Sequence, residues 1–344
     1  MSNLLKIKSL TQDSHAAWDA FVEQCPDATF FHKAGWLDVI KNATGHDVHF
    51  LYAERNGLIE GVLPLGHIQS FLFGNSLISV PFCVYGGVAA LNDDARQQLD
   101  SAGCALGEKL GVNVIDYRNQ YDSGKERIKQ DLYVTFRKEI SADNDENLKA
   151  IPRKQRAVVR KGIKSGLVSV IDSDTTRFYQ LYSESVRNLG TPVMAKSFFD
   201  TLLTVFGDQV EIVTIENSTV AVSSVLNFYF RDEVLPYYGG GGDAARHYKA
   251  NDFMYWEVMR RAAEKGVKLF DFGRSKQNTG SYRFKTHWGF KPEPLHYEYV
   301  LVNATEPPNL NPTNPKYKYF IDAWKRLPLK ASQIIGPWLA KDLA

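Results

Sequence analysis

The chain has 344 residues, 44% hydrophobic and 12% aromatic, and a formal net charge of +2. That length exceeds what one core usually organises, so two domains are expected, and the near-neutral charge leaves any attraction of a charged partner to local patches. Cys25, Cys83 and Cys104 lack CxxC spacing and the eight histidines lack HExxH spacing; the thiols read as free and mostly buried in a reducing compartment, with no metal site.

In chain order, MSNLLKIKSLTQDSH has too short an apolar run for a signal peptide. No stretch approaches the roughly 20 apolar residues of a membrane span, so a cytoplasmic protein is expected. From Gly35, GWLDVIKNATGHDVHFLYAERNG reads as a helix and hairpin, followed by a glycine break at Tyr85-Gly86-Gly87. A further helix ends near Gly111, before a strand carrying Asp116 and Arg118. Ser141–Ala150 (SADNDENLKA) is a polar, acidic linker. The next segment, IPRKQRAVVRKGIKSG, holds Arg153, Lys154, Arg156, Arg160, Lys161 and Lys164, with no acid between Glu146 and Asp172. On a helix, Arg153, Arg156, Arg160 and Lys164 share one face. That face is either an ordinary solvated surface or a guide for a polyanion such as a tRNA backbone or a lipid pyrophosphate.

From Ser197, SFFDTLLTVFGDQVEIVTIENS repeats the first pattern. Gly45 matches Gly207, Val48 matches Val210 and Glu54 matches Glu216, each 162 positions apart. Gly111-Val112 and Asp116-Tyr117 match Gly266-Val267 and Asp271-Phe272, each 155 apart, and Tyr85-Gly86-Gly87 parallels Tyr238-Gly239-Gly240. The repeated order predicts two α/β domains of one fold, each a mixed central sheet flanked by helices. The expected boundaries are 1–140 for the first domain, 141–150 for the linker and 151–302 for the second. Residues 303–344 form a proline-rich loop and a helical tail. The tail is expected to pack on the first domain, while its lysines and tryptophans also suit a membrane surface.

The richest stretch runs from Val234 to Phe290. Glu233–Tyr238 reads as a strand broken by Gly239–Gly242. Asn251 or Asp252 is placed to cap a helix ending near Gly266, with Val267–Phe272 the next strand. Arg246, between the glycines and that helix, is either an anion anchor aided by the helix dipole or a surface arginine. Counting from the glycines, its counterpart in the first copy is Asp93, so the fold itself does not require an arginine there. Asp271 and Arg274 fall at a strand end, where α/β sheets usually hold ligands, or else form a structural ion pair. Lys285 lies in GSYRFKTHWGF, where Ser281 can cap a short helix packing Tyr282, Phe284 and Trp288, with Arg283 and Lys285 pointing elsewhere. Lys285 then either binds phosphate, stabilises an oxyanion or is simply solvated.

YYGGGGDAARHYKANDFMYWEVMRRAAEKG, FDFGRS and YRFKTHWGF resemble the second domain of FemAB-like proteins, within the wider Gcn5-related acetyltransferase (GNAT) superfamily. The resemblance extends over nearly the whole chain. DFGRSKxxTGxYxFKxxWGF is similar to the subgroup associated with exosortase/PEP-CTERM and exopolysaccharide systems. The resemblance implies tandem GNAT-like domains and an acyl- or aminoacyltransferase acting on a peptidoglycan, cell-envelope or exopolysaccharide precursor. It implies contact of Arg246 with the precursor's phosphates, a part for Lys285 in the transfer step, Asp116 near the acceptor amine and a phosphate-binding Lys41 (with Lys33 competing for that role); Asp271 as a further catalytic candidate and Arg274 and Tyr238 as further binding candidates are added from their positions in this sequence. The chain lacks a long coiled-coil insertion and the R/Q-x-x-G-x-G/A loop of CoA-binding members, which leaves the donor open between aminoacyl-tRNA and acyl-CoA. An anionic, lipid-linked acceptor, tRNA on the Arg153–Lys164 face and peripheral contact with the inner face of the membrane complete the expectation. The alternatives are a non-catalytic carbohydrate or lipid-carrier binding module and an acetyl-CoA-dependent N-acetyltransferase with a divergent loop.

Overall fold

The computed structural model describes residues 4–308 and 315–343. Residues 309–314, part of the expected proline-rich loop, lie outside the described region. Two sheets organise the chain. The first holds β1 (Lys6–Ser9), β2 (Asp47–Arg55), β3 (Leu58–Ser70), β4 (Gly74–Ser79), β5 (Ala89–Ala90), β6 (Val114–Asn119) and β7 (Ile128–Gln130). The second holds β8 (Tyr133–Glu139), β9 (Val168–Asp172), β10 (Val210–Asn217), β11 (Val220–Phe230), β12 (Glu233–Gly241), β13 (Leu269–Asp271), β14 (Ser275–Lys276) and β15 (Pro292–Pro294). The last strand, β16 (His296–Leu301), returns to the first sheet. Among the described residues twelve α-helices accompany them: α1 (His15–Gln24), α2 (Gly35–Thr44), α3 (Asp93–Leu110), α4 (Asn144–Ala150), α5 (Arg153–Lys164), α6 (Thr176–Leu189), α7 (Lys196–Phe206), α8 (Asp243–Tyr248), α9 (Ala250–Glu264), α10 (Gly280–His287), α11 (Pro315–Trp324) and α12 (Leu329–Ala340).

The repeat seen in the sequence is a repeat of topology. The first sheet runs β1-β2-β3-β4-β6-β16-β7 and the second β9-β10-β11-β12-β13-β8-β14. In each, a meander of antiparallel strands is followed by one parallel pair, β4 with β6 and β12 with β13. An antiparallel strand then closes the sheet, β16 against β6 and β8 against β13. Those closing strands are exchanged: β8 follows the first half of the sequence yet lies in the second sheet, and β16 does the reverse. The compact units are accordingly residues 1–131 with 295–310 and 341–344, and residues 132–294 with 311–340. This corrects the expected boundaries of 1–140 and 151–302. Periodicity locates a strand but does not say which sheet edge it will meet.

Strand alternation gives each sheet two covered faces. In β2, Leu51 and Ala53 join Leu63, Leu65, Leu77 and Ile115 in a core that includes Leu99 of α3. Phe50 and Tyr52, on the other face, meet Trp18 of α1 at 5.6 and 6.3 Å between ring centroids. In the second sheet, Val213, Val225 and Phe270 pack with Phe253, Met254 and Trp256 of α9. The opposite face meets α6 and α7 through an aromatic cluster of Phe178, Tyr182, Phe198, Phe199 and Tyr238.

The glycine run does not break its strand. β12 continues to Gly241, with Gly239, Gly240 and Gly241 paired to Val225, Ser224 and Ser223 of β11. Glycine is needed there for close approach: a Cβ on Gly240 would lie 2.6 Å from Ser185 Cβ of α6, and one on Gly241 would lie 2.5 Å from Ala245 Cβ. Gly241→Val is therefore expected to overpack this contact, costing about 1–3 kcal/mol, measured as a lower midpoint in thermal or urea unfolding. An unchanged midpoint would show that α8 yields freely.

Two further expectations change. α9 starts at Ala250 after Lys249 in the left-handed region, with no side-chain cap. Asp252 instead accepts hydrogen bonds from Gln155 of α5 and from Trp288 Nε1, the latter at 3.3 Å. The helical tail packs on the second unit rather than the first. Arg187 of α6 donates to Leu327 O at 2.8 Å, Gln333 Nε2 donates to Ser183 Oγ at 2.8 Å, and Gly190 lies directly against Ile321. Only the last residues join the first unit, where Lys341 O is 2.8 Å from His46 Nε2.

Candidate active site

The second unit gathers charged side chains where its parallel strand pair ends. β13 stops at Asp271 because the chain turns through Gly273, which has φ +67. Asp271, fully buried, stabilises the turn: its Oδ1 accepts from Gly273 N at 2.6 Å and from Thr135 Oγ1 at 3.4 Å. Register sets Asp271 opposite Arg137 on β8. Arg137 Nε lies 3.4 Å from Asp271 Oδ2, and Arg137 Nη2 donates to Glu233 Oε2 of β12 at 2.9 Å. Three adjacent strands thus deliver a carboxylate–guanidinium–carboxylate triad. Burial pushes the Glu233 carboxyl well above its usual range, the Asp271 charge adds to that, and Arg137 partly offsets both.

Lys285 is delivered by α10. Thr279, not Ser281, caps this helix, its Oγ1 accepting from Tyr282 N at 3.4 Å. Lys285 does not point into solvent with Arg283; it is buried on the core side of the helix. Its Nζ donates to Gly273 O and Arg274 O, both at 2.9 Å, and lies 5.5 Å from the Phe136 ring centroid. Burial lowers its pKa to about 7; the Asp271 charge opposes that shift and Arg274 assists it. An ammonium has three N–H groups, so two held by carbonyls leave one for a developing oxyanion. The neutral amine would make the same two bonds and present a lone pair.

The remaining sequence candidates are dispersed. Arg274 contributes its carbonyl to Lys285, while its guanidinium lies 4.6 Å from the Tyr133 ring centroid. The ion-pair partner found for Asp271 is Arg137. Tyr238 sits 5.2 Å from Phe199 and 4.7 Å from Tyr237, which accounts for it as packing between β12 and helices α6 and α7. Arg246 is exposed in the last turn of α8, a helix of only six residues, rather than at the N-terminus of α9. Its supposed counterpart Asp93 opens the eighteen-residue α3, so α8 is an addition peculiar to the second half. In the first unit, Asp116 on β6 places Oδ2 at 3.3 Å from Arg118 Nε, and its buried Oδ1 accepts no hydrogen bond. Lys41 is exposed on α2, whereas Lys33 is buried and paired with Glu23 at 2.8 Å.

Sequence reasoning missed Arg137, Glu233 and Thr135. Arg137 and Thr135 belong to the exchanged strand β8, and Glu233 reads locally as an ordinary strand-start acid. A further polar cavity of about 350 Å³ in the first unit is lined by Tyr117, Asp100, Arg127, Lys125 and Arg96 among others. Arg127 donates to Asp100 at 2.7 Å and lies 4.8 Å from the Tyr117 ring centroid. On α5, Arg153, Arg156, Arg160, Lys161 and Lys164 line one open concavity of about 720 Å³. The inner side of that helix is fixed by Val159 and by Gly162, whose Cβ position lies 2.9 Å from Phe253 Cβ. Among the described residues no acid pairs with these five cations.

This arrangement of a mixed sheet with a parallel strand pair, helices on both faces and charged groups at the strand ends is that of GNAT-fold proteins. Residues 149–286 match the sequence model of the acetyltransferase (GNAT) domain family, a span that includes α5, Arg246, Asp271 and Lys285. The structure is similar to the crystal structure of FemX, with TM-score 0.66 and 15% identity over 92% of this chain and 100% of that one. It is similar to a tandem GNAT protein from the clavulanic acid biosynthesis pathway, with TM-score 0.54 and 12% identity over 88% and 100% of the two chains. It also resembles the C-terminal domain of a candidate lysylphosphatidylglycerol synthetase from Agrobacterium fabrum, with TM-score 0.55 and 11% identity over 84% and 91%. No curated protein matches the sequence. The chain therefore has a tandem GNAT fold, one half of which matches the acetyltransferase domain by sequence.

Proposed function

We propose that the protein is an acyl- or aminoacyltransferase whose reaction centre is Lys285 beside Asp271, acting on a peptidoglycan, cell-envelope or exopolysaccharide precursor. The observation that carries this reading is a buried lysine, anchored by two carbonyls and titrating near 7, inside the stretch that matches an acetyltransferase domain. An acceptor amine or hydroxyl attacks the acyl carbonyl of the donor; a C–N or C–O bond forms as the donor's ester or thioester bond breaks. The third N–H of the Lys285 ammonium stabilises the oxyanion of the intermediate. Asp271 orients the nucleophile and receives its proton. Proximity supplies much of the remaining acceleration, because the acyl group arrives already activated. Arg246 and Arg274, both in the second unit, bind an anionic group of donor or acceptor. The basic face of α5 guides a polyanionic donor such as aminoacyl-tRNA.

Mass spectrometry of envelope glycans and peptides from cells with wild-type protein, with Lys285→Met and with none tests the reading. A defined mass increment present only with wild type is expected; identical masses in all three would overturn it, leaving a non-catalytic binding module. The family match favours a second donor, acetyl-CoA. Thermal stabilisation by acetyl-CoA and not by aminoacyl-tRNA would establish that donor. If the polyanion reading holds, Arg156→Glu with Arg160→Glu should weaken binding of unfractionated tRNA about tenfold or more and flatten its salt dependence. Equal affinity and slope would remove α5 from the donor site.

A further inference from the structure

The tail of the second unit is built the wrong way round for a helix that exists only to cover a core. α12 seats its small residues inward: Ser332, Gly336 and Ala340 are the buried positions, and a Cβ on Gly336 would lie 3.0 Å from Val193 N. Its large apolar side chains face outward, with Ile334 78% exposed, Trp338 66% and Ile335 43%. α11 adds Tyr319, 85% exposed, and Phe320, which stacks on buried Trp324 at 5.4 Å between centroids. A surface helix of a globular protein normally shows the reverse pattern. Lys330, Ile334, Trp338 and Lys341 follow one another at helical spacing, so cations bracket the apolar stripe.

Charge says what covers it. Residues 315–344 contain six basic residues (Lys316, Lys318, Lys325, Arg326, Lys330, Lys341) and two acids (Asp322, Asp342), a net +4. The whole chain sums to +2, so the other residues sum to −2. Positive charge is thus concentrated on the segment that exposes Trp and Ile. A protein partner for an apolar stripe would not require that concentration, whereas an anionic lipid surface does. Trp suits the headgroup boundary because its ring is apolar and its N–H is polar. Among the described residues no helix is long and apolar enough to cross a membrane, so the contact is one of lying on the surface.

We propose that the tail, α11 with α12, is a peripheral docking surface for an anionic phospholipid bilayer, with Ile334 and Trp338 entering the interface and Lys325, Arg326 and Lys330 meeting the headgroups. This rests on the tail alone and not on the transfer reaction. The test is co-sedimentation of the full chain with vesicles of phosphatidylglycerol and phosphatidylcholine, and with phosphatidylcholine alone. Wild type is expected to bind the anionic vesicles and to be released by salt. Ile334→Asn with Trp338→Asn should lower the partition coefficient at least tenfold, and Lys325→Glu with Lys330→Glu should do the same on anionic vesicles only. All four positions are solvent-facing, so unchanged circular dichroism and melting temperature will establish that the variants fold. Absence of wild-type binding, binding retained by both variants, or a wild-type dimer that the apolar variant dissolves would each overturn the proposal, the last by making the stripe a contact between copies.

Discussion

Lys285→Met is expected to lower the turnover of the proposed transfer about 100- to 1,000-fold, the usual cost of removing one oxyanion donor, while leaving substrate affinity little changed. The same variant carries a stability signature that needs no substrate. An unfolded lysine holds its proton to about 10.5, whereas the folded Lys285 releases it near 7. Between those values the unfolded chain binds more protons, so the contribution of this group to stability rises with pH across that window and is least favourable below it. Urea unfolding of wild type and Lys285→Met at pH 6, 8 and 10 should show the wild type gaining relative to the variant as pH rises. For catalysis the direction is opposite: if the ammonium stabilises the oxyanion, turnover loses an upper limb as pH passes about 7. Parallel unfolding profiles would mean that the amine titrates as an ordinary lysine; full activity in Lys285→Met would remove it from the reaction.

The largest loss of stability is expected from Arg137→Met. Arg137 is the cation between Asp271 and Glu233, and its removal takes the guanidinium away from the fully buried Asp271 and the partly buried Glu233. Breaking such a set by deleting one partner typically costs about 3–5 kcal/mol. The sign with pH follows from Glu233. Its folded carboxyl binds a proton more tightly than the unfolded group, so its contribution falls as pH rises above about 4.5. Without Arg137 that fall should steepen and extend, so the variant should be closest to wild type in mild acid and furthest from it near neutrality. Arg137→Lys, which keeps the charge, should recover part of the difference. A midpoint for Arg137→Met equal to that of wild type at pH 7 would show the guanidinium to be dispensable.

The duplicated order of elements was legible because each copy carries its own helix stops and strand starts. Gly45 and Gly111 take the left-handed conformation that ends α2 and α3, and the strands following Gly207 and Gly266 sit at matching places in the second sheet. Asp116 and Asp271 occupy equivalent strands for the same reason. The glycine run was misread because a string of glycines has two physical uses, a flexible loop and a strand pressed against its neighbours; Ser185, Ala245 and Asn251 decide between them and lie elsewhere in sequence. Lys285 was legible as a candidate, but its burial was not, since nothing local announces that two carbonyls of a turn eleven and twelve residues earlier will hold its amine. Arg137 was invisible: its neighbours on β8 look like the end of the first half, and only the exchange of closing strands brings it to Asp271.

That exchange sets the order in which the chain can mature on the ribosome. The antiparallel neighbour of β6 is β16, whose residues emerge only after all the strands of the second sheet, β8 to β15, have been made. Until then β6 offers a bare row of amides and carbonyls to any nascent strand nearby. A fragment ending near residue 140 would carry that open flank permanently, together with an orphaned β8. Cutting this protein at its apparent midpoint should therefore give two insoluble pieces, and their simultaneous synthesis should restore soluble material only if each half can lend the other its final strand.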